Sequence, residues 1–147
     1  MFNGSKMCTG PLTIWPRGAI SISAIWLYYG FSLGGLYGPI LVALEPRFRV
    51  VVWLDGGLRF QPELPESDSI NFLPRVKIPV LMVNGRSDFT FPLATLQEPM
   101  YRMLGTPEKD KRHVVLDGAH GVFFYHQNEV VREVLAWLDR YTPITSK

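Results

Sequence analysis

The pentapeptide Gly30–Gly34 places Ser32 between two glycines in the pattern Gly-x-Ser-x-Gly. The residues before it (25–29) are β-branched and aromatic, and those after it (34–44) are small and aliphatic. This order predicts a strand, a sharp turn and a helix. Glycines on both sides of the serine let the backbone bend tightly, so that the hydroxyl projects from the turn. Ser32 is therefore a candidate nucleophile.

A serine hydroxyl needs a neighbouring base to take its proton, and histidine is the usual base. The chain contains three histidines. His113 begins a predicted strand, where a structural role is expected, and His126 lies in a polar loop before the last helix. His120 lies in a turn just beyond the last predicted strand, where a side chain can reach the carboxyl edge of a parallel sheet. His120 is therefore the best candidate base.

An acid must hold the base in the correct tautomer, and three aspartates are available for this role. Asp88 follows a predicted strand in the turn 85–88, which places it at the same edge as Ser32 and His120. Asp55 also ends a strand at that edge and is a serious alternative. Asp117 is too near His120 in sequence to approach the ring easily from behind, so it ranks last.

Beyond residue 45 the chain alternates strand-like and helix-like segments, which is typical of parallel strands joined by crossover helices. The predicted strands are residues 25–29, 48–54, 79–84 and 112–116. The predicted helices are residues 34–44, 93–104 and 129–141. Residues 58–77 contain three prolines and several acids, which predicts a surface excursion near the site.

The composition favours one packed domain over residues 1–147, since 47% of the residues are hydrophobic and 19% are charged. The net charge of +2 includes no basic tract, which argues against nucleic-acid binding. Cys8 is the only cysteine, so neither an intramolecular disulfide nor a zinc site is expected. No metal and no cofactor are predicted.

Residues 19–44 contain no charged side chain, and a run of this length must be weighed as a membrane span. Its glycines, serines and proline favour a buried strand followed by a buried helix instead. Segment 1–24 is interrupted by Pro11, Pro16 and Arg17, so it is a poor signal peptide. We therefore expect a cytoplasmic protein without membrane contact.

Three motifs resemble the α/β-hydrolase family, closest to its dienelactone-hydrolase and prolyl-oligopeptidase-like group. They are residues 29–35, residues 78–92 and residues 118–121, and the resemblance covers roughly residues 25–141. It implies a catalytic triad of Ser32, Asp88 and His120, with the backbone amide of Leu33 donating to the oxyanion. In this family the serine attacks an ester carbonyl, and water then cleaves the acyl-enzyme.

A complete family member has about four strands before the turn that carries its serine, whereas only residues 1–24 precede the first predicted strand here. The expected fold is therefore a truncated α/β-hydrolase, an α/β fold of about four parallel strands flanked by helices, with an atypical segment 1–24. The second oxyanion amide would come from residues 10–18, from another subunit, or not at all.

The same departure would leave the strand before Ser32 at the sheet edge, with apolar side chains exposed. An exposed apolar edge invites pairing with another chain. We therefore expect a homo-oligomer, most simply a homodimer covering this edge, unless residues 12–15 form a strand that covers it.

Aromatic side chains are expected to form an apolar wall around the serine. The candidates for substrate binding are Phe31, Phe60, Phe89, Phe91 and Phe123. Together with the absence of a large lid, they indicate a serine carboxylesterase for small-molecule esters with short-chain or aromatic groups. The alternative is a non-catalytic hydrolase-like domain that binds a ligand or a partner, and peptidase action is a weaker third possibility.

Overall fold

The computed structural model describes residues 25–142, which form a parallel sheet with helices on both faces. The strands are β1 (Trp26–Phe31), β2 (Phe48–Leu54), β3 (Val80–Gly85) and β4 (Lys111–Leu116). The helices are α1 (Leu33–Leu44), α2 (Glu98–Met103), α3 (Val122–Tyr125) and α4 (Gln127–Tyr141). Neighbouring strands are parallel, in the order β1-β2-β3-β4. The predicted fold class, about four parallel strands flanked by helices, is confirmed.

Strand β2 lies at the centre of the fold, and its apolar side chains alternate between the two faces of the sheet. Val51 and Trp53 belong to a cluster with Leu36 of α1 and Met100 of α2. Val50, Val52 and Leu54 belong to a second cluster, with Val130 and Trp137 of α4. Because both faces of β2 are covered, its residues are apolar throughout apart from Arg49, as expected of a buried parallel strand.

The structure differs from the sequence-based elements at three places. The predicted helix 93–104 begins with a π-helical turn, Leu93–Gln97, before α2 starts. Helix α4 begins at Gln127, two residues before the predicted start, and the one-turn helix α3 precedes it. In segment 58–77, residues 59–62 are exposed, but Leu73 and Val76 are buried in the cluster beside α1.

Strand β1 has a neighbour on one side only among the described residues. Its apolar side chains Trp26, Leu27, Tyr29 and Phe31 are 37 to 51% exposed. Residues 10–18, including the predicted covering strand 12–15, lie outside the described part of the chain. Within that part, no helix is long and apolar enough to cross a membrane.

Candidate active site

Ser32 lies on a sharp turn between β1 and α1, with φ 52° and ψ −108°. A positive φ is rare for residues other than glycine and costs free energy. Neighbouring glycines make the turn possible: a Cβ on Gly30 would lie 2.5 Å from the carbonyl oxygen of Gly34. A Cβ on Gly35 would lie 2.6 Å from Cα of Gly56. The start of α1 therefore packs directly onto the strand ends.

A continuous hydrogen-bonded relay joins three side chains at the carboxyl edge of the sheet. Oγ of Ser32 lies 2.8 Å from Nε2 of His120, and Nδ1 of His120 lies 2.9 Å from Oδ2 of Asp88. A carboxylate only accepts hydrogen bonds, so Nδ1 carries the proton and Nε2 is free to accept from the serine hydroxyl. The structure thus brings together the three residues that the sequence analysis singled out.

Asp88 is held in place by backbone amides on its own loop. Its Oδ1 accepts from the amides of Thr90 at 2.7 Å and Phe91 at 3.0 Å, which leaves Oδ2 directed at His120. The side chain is fully buried. These two amides fix which carboxylate oxygen faces the imidazole.

Gln97 also supports this loop, and the sequence analysis missed it. Its buried Nε2 donates to the carbonyl oxygens of Phe91 at 2.6 Å and Gly85 at 3.1 Å, on either side of Asp88. The available signal was a polar side chain among the apolar residues of a helical segment, since a buried amide needs partners.

The imidazole of His120 lies between two aromatic rings. The ring centroids of Phe31 and Phe91 are each 5.8 Å from that of His120. The loop that carries His120 has positive φ at Gly118 (143°) and Gly121 (88°), where side chains would be strained. The histidine is therefore held by flanking rings on a tightly curved loop.

The two competing aspartates occupy different positions. Asp55 is fully buried, but its oxygens accept from the backbone amides of Gly85 at 3.3 Å and Val122 at 2.9 Å. Asp117 is exposed and pairs with Arg86 at 3.2 Å. Of the three candidate acids, only Asp88 is hydrogen-bonded to the imidazole in this structure.

Burial raises the pKa of Asp55 to about 6, although the amides of Val122 and Gly85 and the nearby His120 favour its charged form. Donor atoms of Asp55, Asp88 and His120 all lie within 4.8 Å of one another. Three donor atoms this close together could bind a metal ion. Each of these side chains already has hydrogen-bond partners within the protein, and these hydrogen bonds explain why the three side chains lie together.

The structure resembles several solved hydrolases. It matches a cold-adapted esterase from an Arctic intertidal metagenomic library with a TM-score of 0.63 and 24% identity, over 77% of this chain and 45% of that one. It matches the monoacylglycerol lipase of Paleococcus ferrophilus with a TM-score of 0.68 and 17% identity, over 82% of this chain and 70% of that one. The enol-lactonase of Burkholderia xenovorans LB400 aligns with a TM-score of 0.64 and 17% identity, over 78% of this chain and 66% of that one.

The fold is that of the α/β-hydrolases. This chain spans about half the length of the cold-adapted esterase, so the likeness covers part of the α/β-hydrolase fold. No protein-family model matches the sequence, and no curated protein matches it significantly. In α/β-hydrolases a nucleophile is carried on the strand-turn-helix that here holds Ser32.

The first turn of α1 follows Ser32 directly, and the amide of Leu33 belongs to it. The N–H groups in the first turn of a helix have no intrahelical acceptor, and the helix dipole favours negative charge there. An oxyanion formed beside Ser32 would thus meet a favourable field. In α/β-hydrolases a second oxyanion amide comes from a loop that follows an earlier strand. Within residues 25–142, β1 is the first strand, so such a loop would have to come from outside this range.

A cleft of about 350 Å³ opens beside the relay. Its lining combines the apolar side chains of Leu36, Leu58, Phe60 and Phe91 with the polar side chains of Arg59, Gln61 and Thr90. Phe91 also borders His120, so this one side chain contacts both the cleft and the relay. The three relay residues themselves do not line the cleft.

The five phenylalanines predicted to bind substrate differ in their surroundings. Phe31 and Phe91 border His120, and Phe60 lines the cleft. Phe89 is 88% exposed. Phe123 is partly buried against the cluster that contains Val130 and Trp137, which places it in the packing of α3 rather than in the cleft lining. The role of each in substrate binding stays a prediction.

His113 provides a pH-dependent stability that can be measured. Its Nε2 bonds with Oδ1 of Asn84 at 3.1 Å, and burial lowers its pKa to about 4, partly offset by Glu98. The unfolded chain therefore binds more protons than the folded one between pH 4 and about 6.5, so stability falls on acidification. Between pH 7 and pH 5 this residue should cost about 2 kcal/mol of unfolding free energy.

The measurement compares the wild type with His113→Gln, whose amide can still donate to Asn84. Chemical denaturation at pH 7 and pH 5 should show a smaller loss of stability in the variant, by about 2 kcal/mol. The opposing effect of Asp55, whose raised pKa destabilises the fold as pH rises towards 6, is present in both proteins and cancels. An equal loss in both proteins would contradict the assignment.

Proposed function

We propose that this chain is a serine carboxylesterase that hydrolyses short-chain or aromatic esters through an acyl-enzyme. The observation that carries the proposal is the relay from Ser32 through His120 to Asp88, at 2.8 and 2.9 Å. These distances lie within the range that proton transfer between a nucleophile, its base and the supporting carboxylate requires. This geometry supports the roles proposed for the three residues.

In the first half-reaction, Nε2 of His120 takes the proton of Ser32 while Oγ attacks the ester carbonyl. The carbonyl oxygen becomes an oxyanion that accepts from the amide of Leu33 at the start of α1. The imidazolium then gives its proton to the leaving alcohol oxygen as the C–O bond breaks. Asp88 accepts from Nδ1, stabilises the imidazolium and keeps the ring in place.

In the second half-reaction, water enters where the alcohol left. His120 takes a proton from the water, the resulting hydroxide attacks the acyl carbonyl, and a second oxyanion forms beside Leu33. When it collapses, the bond from the acyl carbon to Oγ breaks and His120 returns the proton to Ser32. The products are a carboxylic acid and an alcohol, so no oxidant, metal or cofactor is required.

The cleft supports the proposed substrate class. Its volume of about 350 Å³ accommodates a short acyl chain or one aromatic ring, which Leu36, Leu58 and Phe91 would contact. The polar side chains of Arg59, Gln61 and Thr90 lie in the same lining. Phe60, which is 69% exposed at the cleft, would add contact area to a larger alcohol group. Short-chain and aryl esters are therefore preferred over long-chain lipids.

The test is hydrolysis of p-nitrophenyl acetate and p-nitrophenyl palmitate by the wild type and by Ser32→Ala. We expect the wild type to release nitrophenol from the acetate at a rate well above that of the variant, with a lower kcat/KM for the palmitate. Equal rates for wild type and variant on both esters would refute the proposal.

The second candidate function is a non-catalytic hydrolase-like domain that binds a small ligand or a partner. It is favoured by one observation: within residues 25–142 no strand precedes β1, the position from which a second oxyanion amide normally comes. Loss of one oxyanion donor typically costs a factor of about 100 to 1,000 in kcat. Such a domain would keep the relay and the cleft but would not form an acyl-enzyme.

We also propose that two copies of this chain pair along β1, in a cytoplasmic homodimer. Trp26, Leu27, Tyr29 and Phe31 expose 37 to 51% of their surface on a strand with one described neighbour, and such an edge can pair with another chain. Pairing would bury these apolar groups and satisfy the free backbone groups of the edge.

Light scattering should report a mass of about twice 16.7 kDa, the mass of one chain. The variant Leu27→Lys, which places a charge on the proposed interface, should be monomeric. The matched control Leu135→Lys changes an exposed leucine on α4 and should remain dimeric. A monomeric wild type would contradict the pairing.

A further inference from the structure

The relay makes no direct use of Asp55, although this carboxylate is fully buried beside it. Asp55 follows the last residue of β2 and has φ 47°, so it and Ser32 are the two described residues other than glycine with positive φ. Its own amide donates to the carbonyl oxygen of Val83 at 2.9 Å. A strained backbone and a buried charge both cost folding free energy. The contacts of the Asp55 side chain should therefore offset this cost.

Those contacts are with two separate segments. Oδ1 of Asp55 accepts from the amide of Gly85, three residues before Asp88. Oδ2 accepts from the amide of Val122, two residues after His120. One carboxylate thus spans the loop that carries the acid and the loop that carries the base.

The loop between β4 and α3 is held at several points. It contains Gly118 and Gly121, both with positive φ. Near its start, Asp117 pairs with Arg86. The backbone amide of Ser87 donates to the carbonyl oxygen of Gly118 at 2.8 Å, which ties this loop to the Asp88 loop. The bond from Val122 to Asp55 ties the end of the same loop to β2.

We infer that Asp55 is a positioning residue: its carboxylate holds the His120 loop and the Asp88 loop in the relative position that the relay needs. The two hydrogen bonds that do so, from the amides of Gly85 and Val122, are called the latch. The inference deepens the proposed function and rests on it for its effect on catalysis. The latch itself, two backbone amides on one buried carboxylate, is a separate structural claim and can be tested without activity.

The latch should depend on pH because a carboxyl group changes its hydrogen bonding when it takes a proton. The ionised group accepts at both oxygens, whereas the protonated group has one O–H donor that would face a backbone amide. Burial raises the pKa of Asp55 to about 6, and the titratable groups acting on or near it are His120, Asp88 and Tyr29. The latch is therefore complete above about pH 7 and loses one bond at pH 5.

Asp55→Asn reproduces the protonated state at every pH. Asparagine has one acceptor oxygen and an NH₂ group that would face a backbone amide, and it tolerates positive φ, so the backbone should not be strained further. The matched control is Asp117→Asn, which removes an exposed charge from the same region.

The decisive quantity is the ratio of kcat/KM for Asp55→Asn to that of the wild type, measured from pH 5 to pH 8.5. We expect a ratio of about 0.1 at pH 8, since small displacements of reacting groups cost one to two orders of magnitude. It should rise to about 1 at pH 5, because both proteins then have the same hydrogen bonding at residue 55. Because Asp55 and His120 also interact electrostatically, the ratio is interpreted together with the amide exchange below, which does not require His120 to act as a base.

A role in packing alone would give a ratio that is constant with pH. A flat ratio, or a ratio of 1 throughout, overturns the inference. For Asp117→Asn the ratio should stay near 1 across the range; a pH-dependent ratio there would show that any nearby negative charge has the same effect, which also overturns it.

Amide hydrogen exchange separates this inference from the proposed function. In Asp55→Asn at pH 7.5, the amides of Val122 and Gly85 should exchange about tenfold faster, relative to Val51 in β2 as an internal reference. If the wild type proves inactive and this change is seen, the proposed function fails and the latch stands. If the wild type is active and exchange is unchanged, the latch fails.

If Asp55→Asn does not fold, the wild type alone supplies the answer. Both protection factors, corrected for intrinsic exchange, include the change in global stability with pH, so the measured quantity is the ratio of Val122 to Val51. This ratio should fall between pH 7 and pH 5. A constant ratio over this range would overturn the inference.

Discussion

Ser32→Ala should lower kcat for a short-chain nitrophenyl ester by a factor of about 10⁴ to 10⁶. The substitution removes the atom that attacks the carbonyl, and no other hydroxyl lies in the relay with His120. His120→Ala should cause a loss of similar size because the hydroxyl then has no base. Since the two side chains act as one unit, the double variant should be no slower than the slower single variant.

The matched control is Ser87→Ala, an exposed serine on the loop that carries Asp88. Its kcat should remain within a factor of about 3 of the wild type, as expected for a surface substitution. Thermal unfolding of all four variants should distinguish loss of chemistry from loss of fold. Additive losses in the double variant would show that Ser32 and His120 do not act together.

Asp88→Asn should lower kcat by a factor of about 10³ to 10⁴. The amides of Thr90 and Phe91 require an acceptor, so the asparagine will direct its oxygen at them and its NH₂ group at His120. Nδ1 of the imidazole must then accept, which moves the proton to Nε2. A protonated Nε2 cannot take the proton of Ser32.

Comparing Asp88→Asn with Asp55→Asn distinguishes the two candidate acids, Asp88 and Asp55. Asp55→Asn should cost only about tenfold, because Asp55 bonds to the amides of Gly85 and Val122 and not to the imidazole. A larger loss in Asp55→Asn than in Asp88→Asn would contradict the assignment of Asp88 as the acid that supports His120.

The central elements were predictable because each carries a local signal. Strand β2 is apolar apart from Arg49, β3 is apolar up to Asn84, and glycines flank Ser32 at its turn. The three relay residues follow separate strands, and parallel strands bring their carboxyl ends to one edge. Order along the chain was therefore enough to bring Ser32, Asp88 and His120 together.

For the acid, the sequence favoured Asp88 but left Asp55 as an alternative, because both aspartates follow strands at the same edge. What distinguishes them is hydrogen bonding over long separations in sequence, such as that between Asp55 and Val122. The role of Gln97 was hidden for the same reason, since its partners at Gly85 and Phe91 are defined by tertiary structure.

The predicted helix boundaries were wrong where tertiary contacts override the local helix preference of the sequence. The π-helical turn Leu93–Gln97 lies where Gln97 must reach back to the Asp88 loop, and periodicity alone predicts a regular helix there. Phe123 carries the same aromatic signal as Phe31, yet it packs against the cluster that contains Val130 and Trp137. Aromatic composition predicts apolar surroundings for the site without assigning individual rings to them.

Covalent labelling is the direct test of whether His120 and Asp88 make Ser32 a nucleophile. A fluorophosphonate should modify the wild type at one site, and mass spectrometry of the digested protein should locate the adduct on Ser32. Labelling should be absent in Ser32→Ala and slower by about 10³-fold or more in His120→Ala, since the hydroxyl then has no base. An unmodified Ser32 in the folded wild type would contradict the account and favour a non-catalytic binding domain.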